Sequence, residues 1–121
     1  MIQSHKDLIV WQKSITLVTE IYLLTKNFPK EEMFGLTSQI RRTAVSIPAN
    51  IAEGRNRGSK RDFRHFLLIA FASANELETH LLIAKNLSYT TENEFSSTTV
   101  ATTEICKMLS TMINKLSEPS S

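Results

Sequence analysis

With three glycines and three prolines in 121 residues, the chain has few of the residues that turn a backbone. That argues against an all-β fold, which needs a turn roughly every 8–12 residues. Cysteine occurs once, as Cys106, so there is no intramolecular disulfide and no second cysteine for a metal site. In its apolar stretch, Cys106 reads as a buried structural thiol. No uncharged apolar run reaches the roughly 18 residues of a membrane span, because Glu20, Arg64, Glu76 and Glu78 interrupt the best candidates. His5, Lys6 and Asp7 bring charge to the start of the chain, unlike a secretory signal. The expectation is a soluble protein with no membrane contact, in a reducing, cytoplasmic compartment.

Catalytic equipment is equally sparse. His5, His65 and His80 are scattered. Glu76 and His80 make a single i, i+4 pair, whereas a di-metal carboxylate site needs Glu-x-x-His on two helices and further glutamates. Gly54-Arg-Asn-Arg-Gly58 lacks the phosphate-loop pattern, and no nucleophile–base pair can be named. The chain does not read as an enzyme, and no cofactor or metal is implied.

What the sequence does contain is helical periodicity. Its length suits one domain, residues 1–121, with 1–6 and 117–121 expected to be flexible. Helix one spans about Asp7 to Asn27, with Asp7 as N-cap, and carries two adjacent seams. One is Leu8, Trp11, Ile15, Val18 and Tyr22; the other is Val10, Leu17, Ile21, Leu24 and Phe28. Two seams imply either a broad core face or a helix held between its own bundle and a neighbouring subunit. Pro29 ends this helix. Helix two spans about Leu36 to Glu53, with a kink or break expected at Pro48 and Gly54 as its left-handed terminator. Ser46 is placed to help satisfy the backbone freed by that proline. Ser59 and Asp62 have capping-box spacing at the start of helix three. Its seam is Phe63, Leu67, Ala70, Ala74, Leu77, Leu81 and Ala84, a bundle-type repeat. Helix four runs from a cap at Thr90 or Thr91 to about Leu116, on Phe95, Thr98, Thr102, Ile105, Leu109, Met112 and Leu116. Its threonine-rich half is either labile or set against polar groups of a neighbour. The predicted fold is all-α, an antiparallel up-down-up-down four-helix bundle with its second helix kinked at Pro48.

All six arginines lie between positions 41 and 64. With Lys60 they make seven cations against Glu53 and Asp62, a local +5 in a chain whose net charge is +2. Lys60, Arg61 and Arg64 occupy the first turns of helix three, where the helix dipole disfavours cations. An anion would relieve that corner, helix-start amides would help to bind it, and arginine forks suit phosphate. Arg55, Arg57, Lys60, Arg61 and Arg64 are therefore candidates for nucleic-acid contact, and a solvated, ion-paired corner is the plain alternative. Arg41 and Arg42 read as bundle or assembly residues or as a further part of the site. Arg42, Ser46, Asn50 and Glu53 form a polar stripe expected to bond to Asn75, Glu76 or Glu78 on helix three, the alternative being the lining of a pore or binding surface.

Asp7-Leu8, Val10-Trp11-Gln12-Lys13, Phe28-Pro29-Lys30, Leu36-Thr37, Gln39-Ile40-Arg41-Arg42 and, above all, Ser46-Ile47-Pro48-Ala49-Asn50-Ile51-Ala52-Glu53-Gly54 resemble one family. It comprises the four-helix-bundle proteins encoded in intervening sequences of bacterial 23S ribosomal RNA genes. Arg57, Ser59, Asp62-Phe63 and Ser73-Ala74 with Glu76-Leu77-Glu78-Thr79 continue the resemblance over nearly the whole chain. Ala72 stands where relatives usually have glycine. The resemblance implies a homopentameric barrel, related to the basic accessory variability protein of diversity-generating retroelements. The function expected is non-enzymatic binding of RNA or DNA phosphate by a homo-oligomer. The alternative is a protein-interaction scaffold docking a polymerase- or ribosome-associated partner.

Overall fold

The computed structural model describes residues 4–116, and these form helices and short connections only. A 3-10 turn, His5–Asp7, leads into α1 (Ile9–Thr25). A second, Lys30–Glu32, precedes α2 (Leu36–Asn56), and α3 (Lys60–Asn86) and α4 (Glu92–Leu116) follow. α1 and α3 each pack on α2 and α4, and the backbones of diagonally related helices do not approach. This is the four-helix bundle that the periodicity predicts. Residues 1–3 and 117–121, the outer parts of the ends expected to be flexible, lie outside the described residues. Ser4 caps the first 3-10 turn, exchanging hydrogen bonds with Lys6 N and, through its own N–H, with Asp7 Oδ2. Asp7 is thus spent on that turn, and Leu8, not Asp7, is the residue before α1.

Burial separates the two seams of α1 only in part. Val10, Leu17, Ile21, Leu24 and Phe28 are at most 7% exposed, whereas Ile15 and Tyr22 remain 41% and 42% exposed. The first seam is itself divided: Leu8 is buried and Trp11 and Val18 pack half-buried against the core, so they broaden the core face of α1, while Ile15 and Tyr22 stay outside it. The α3 seam from Leu67 to Ala84 is fully buried. On α4, Thr98, Thr102, Ile105 and Leu109 are buried, and Ile113 takes the core position expected of Met112. The core threonines bond to their own helix: Thr98 Oγ1 donates to Glu94 O at 3.0 Å and Thr102 Oγ1 to Thr98 O at 2.7 Å. Among the described residues, Thr103 is the α4 threonine whose hydroxyl reaches α3, at Glu78 Oε2, 2.9 Å away. Thr91 caps α4 by a reciprocal pair with Glu94. Cys106 is half-buried, with Sγ 3.7 Å from Asn75 Oδ1, and burial first, then the Glu78 charge, pushes its thiol up to about 11.

α2 runs unbroken through Pro48. Ser46 Oγ donates to Thr43 O at 2.8 Å, one carbonyl before Ala44, the one that Pro48 leaves without its usual donor. It also shares a 2.6 Å hydrogen bond with Ser73 Oγ on α3. The polar stripe therefore meets α3 at Ser73, not at Asn75, Glu76 or Glu78; Asn75 and Glu78 face α4. Gly54 does not terminate α2. It lies inside the helix, where a Cβ would stand 2.7 Å from Phe66 Cβ and 3.2 Å from Phe63 O. Glycine here permits close approach of α2 and α3 rather than a left-handed turn.

The far end is tied by Glu32. One carboxylate oxygen accepts from Leu36 N at 3.1 Å, at the start of α2, and the other from Tyr89 Oη at 2.9 Å. Tyr89 is delivered there by a Schellman turn closing α3, with Tyr89 N bonded to Ala84 O and Ser88 at φ 64. Its ring packs 5.5 Å from that of Phe28.

Gly54→Ala should lower stability by roughly 1–3 kcal/mol through overpacking, read as a lower urea midpoint at constant m. An increase, as helix propensity alone would give, would contradict the close approach. Donation to Glu32, then burial and the charges of Glu32 and Glu31, raises the Tyr89 pKa above its usual 10.0. The folded state then keeps a proton that the unfolded chain releases, so stability is whole below 10.0 and falls as pH rises through the raised value. Tyr89→Phe should lose part of that alkaline decline in urea titrations run from about pH 8 to 11.

Candidate nucleic-acid interface

α2 passes to α3 through three residues, Arg57, Gly58 and Ser59. Gly58 makes the reversal at φ +92, with no atom within 4 Å of where a Cβ would lie. Ser59 Oγ then accepts from Asp62 N at 3.0 Å and starts α3. The basic turn is shorter than the sequence suggests, because Arg55 and Asn56 belong to the last turn of α2.

The structure sorts the basic residues. Arg57 is held on both faces: its Nε donates to Glu53 Oε2 at 2.7 Å, and its guanidinium lies 4.9 Å from the Phe66 ring centre. Arg64 donates from Nε to Ile113 O at 3.2 Å, fastening the first turns of α3 to the last turn of α4. Arg55 sits between Leu8, Phe63, Met112, Lys115 and Leu116. Lys60 and Arg61 are exposed and form no ion pair among the described residues. The backbone N–H groups of these same two residues meet no acceptor there, since Ser59 satisfies only Asp62 and Phe63. The corner therefore presents two charges and two amides to an incoming anion.

Arg41 and Arg42 are not brought to this corner. Fourteen helical residues separate Arg41 from Arg55, about 21 Å along the axis. Arg41 Nε donates to Thr25 Oγ1 at 2.8 Å and its guanidinium covers the Tyr22 ring at 4.6 Å, linking α2 to α1. Arg42 is exposed near Phe34 and Val45. Conversely, the fold adds two cations that sequence reasoning passed over. Lys115 ends α4 beside Arg55, and Lys6 lies in the turn that touches α2, where His5 Nδ1 is 3.5 Å from Asn56 Nδ2. The up-down-up-down topology, which returns the end of α4 to this end, was the available signal.

The descriptor for the 23S rRNA-intervening sequence protein family matches residues 6–111. The chain belongs to this family. A solved relative is a protein of unknown function from the S23 ribosomal protein family of Bacteroides thetaiotaomicron, with a crystal structure at 1.70 Å. It is 34% identical, superposes with a TM-score of 0.81, and the match covers 88% of this chain and 96% of the relative. No curated protein matches. Neither family description names a reaction. Among the described residues, no three His, Cys, Asp or Glu side chains converge to hold a metal. The Glu76–His80 pair exists at 3.6 Å, with the histidine side chain only 13% exposed.

Within this family member, Arg64 and Arg61 should separate on mutation. Arg64→Ala should cost on the order of 1 kcal/mol by releasing its hydrogen bond to α4, whereas Arg61→Ala should stay within about 0.5 kcal/mol of the parent. Paired urea titrations read the difference, and equal losses would remove the structural role of Arg64.

Proposed function

We propose that this family member is a non-enzymatic, oligomeric, cytoplasmic protein that holds the phosphate backbone of RNA or DNA. Lys60 and Arg61 make the direct contacts, with Arg55, Arg57 and Arg64 supplying the surrounding field. The observation that carries this reading is the exposed pair of cations on a helix start whose amides lack acceptors. Arg57 and Arg64 are already anchored, so they approach a strand from fixed positions. Arg41 and Arg42 serve the α1–α2 side of the molecule and its assembly.

Self-association rests on a different observation. α1 exposes Ile9, Ile15, Tyr22 and Leu23, and the diagonally placed α3 exposes Leu68, Ile69, Leu82 and Ile83. α3 is even long and apolar enough, by length and composition, to cross a membrane. Its apolar residues divide between the core seam and this outer face. Two different apolar faces on opposite corners favour a heterologous contact, which closes into a ring when the rotation allows. The resemblance implies five copies. Repetition of the basic corner around such a ring would give avidity.

The test is a fluorescence-anisotropy titration with RNA and DNA strands, alongside sedimentation mass. Lys60→Glu with Arg61→Glu should weaken binding at least tenfold at low salt without changing the mass. The log–log salt slope should shrink by about 0.7 for each phosphate of a single strand that the variant leaves unneutralised. Full-strength binding by that variant would discard the site, and a parent that binds no nucleic acid at low salt would turn the basic corner toward an acidic protein surface.

A further inference from the structure

The groove between α1 and α2 holds an open pocket of about 420 Å³. Tyr22, Phe34, Thr37, Arg41, Arg42 and Val45 line it, and no acidic residue does. Phe34 stands almost wholly exposed at its rim. The Thr37 hydroxyl in its wall is buried with no hydrogen-bond partner among the described residues. Arg41 is engaged by Thr25 and Tyr22. Arg42 is exposed and forms no ion pair among the described residues. The free charge of this pocket is therefore Arg42, set in an apolar frame.

The outer face of α3 has the opposite character. Leu68, Ile69, Leu82 and Ile83 are exposed there, and Glu76 is the exposed carboxylate among them, with its side chain 59% accessible. Its contact with His80 Nε2, at 3.6 Å, is too long for a hydrogen bond. Arg42 and Glu76 form no ion pair within the chain, yet they stand at one height on the bundle. Ser46 and Ser73 meet at 2.6 Å. From that contact Arg42 lies four residues back along α2, and Glu76 three residues on along the antiparallel α3. Both steps lead to the same end, by about 6 Å and about 4.5 Å. Rotation about an axis parallel to the helices would thus bring a neighbour's Glu76 to Arg42 with almost no rise. A heterologous contact without rise closes into a ring, whereas one with rise winds into a filament.

We propose that the α1–α2 pocket seats the outer face of α3 from a second copy of this chain, with the second copy's Glu76 paired to Arg42. The proposal rests on the self-association reading above and names the charge pair that sets its register. Charge and apolar surface agree: a carboxylate framed by aliphatic side chains meets a guanidinium framed by Tyr22, Phe34 and Val45. A nucleic-acid strand would match the charge of Arg42 and leave that apolar frame uncovered.

The experiment measures sedimentation mass of the full chain at low salt and micromolar concentration, for the parent, Arg42→Glu, Glu76→Arg and the variant carrying both changes. Each single reversal should weaken association roughly tenfold or more, because like charges then face each other across the contact. The double reversal should restore the parental mass. An equimolar mixture of the two single variants should associate beyond either alone, since each supplies the charge that the other lacks. Mixing could not rescue a pair formed inside one chain. Circular dichroism checks that each variant is folded, and Arg42→Gln and Glu76→Gln replace a reversal that fails to fold, each again expected to lower the mass. A parent that assembles and keeps its mass through both single changes would overturn this contact and leave self-association standing. Loss of mass with no recovery in the double variant or the mixture would also overturn the pair. A parent that sediments as one chain would overturn both readings.

Discussion

The closeness of α2 and α3 governs the rest of this molecule. Gly54 lets Phe63 and Phe66 come up against the α2 backbone, and the hydroxyls of Ser46 and Ser73 meet at 2.6 Å further along. Fully buried Ala44, Ala70 and Ala74 keep the core between these helices thin. Close approach at two points fixes the helix pair as one unit. It also decides where the arginines go, because α2, α3 and their three-residue connection carry all six. The basic corner is therefore a product of packing, not of a loop free to rearrange.

Polar groups inside the bundle are handled locally. Ser14, Thr25, Thr98 and Thr102 return their hydroxyls to carbonyls of their own helices. Such bonding lets weak helix formers sit in a core without needing a partner across it. Polar bonds also cross between elements: Arg41 to Thr25, Ser46 to Ser73, Arg64 to Ile113 O, Thr103 to Glu78 and Tyr89 to Glu32. Ser46 and Ser73 meet midway along α2 and α3, and apolar stripes fill the rest of the interior.

Periodicity made the helices and most of the core legible, since each buried seam repeats at three and four residues. It did not decide between the two seams of α1, because that choice depends on where α2 and α4 stand. Gly54 and Asp7 were misplaced for a related reason. A glycine near a helix end suits a turn or a close contact equally well, and a short acidic side chain caps whichever turn reaches it first. The basic cluster was visible as composition, but its division was not. Arg57 and Arg64 are anchored by Phe66 and Ile113 O, contacts with no sequence signature, whereas Lys60 and Arg61 are left outward by the same geometry. Lys115 joins this corner only when the ends of α2, α3 and α4 are brought together.

The two glycines at this corner are required for opposite reasons. At Gly54 the limit is size, since any side chain meets Phe66. At Gly58 the surroundings are empty, and the limit is the sign of φ. Handedness is thus the constraint at 58: a positive φ is a conformation that D-residues adopt readily and L-residues rarely do. A synthetic chain could carry a probe or cross-linker at the apex of the basic corner by inverting one centre.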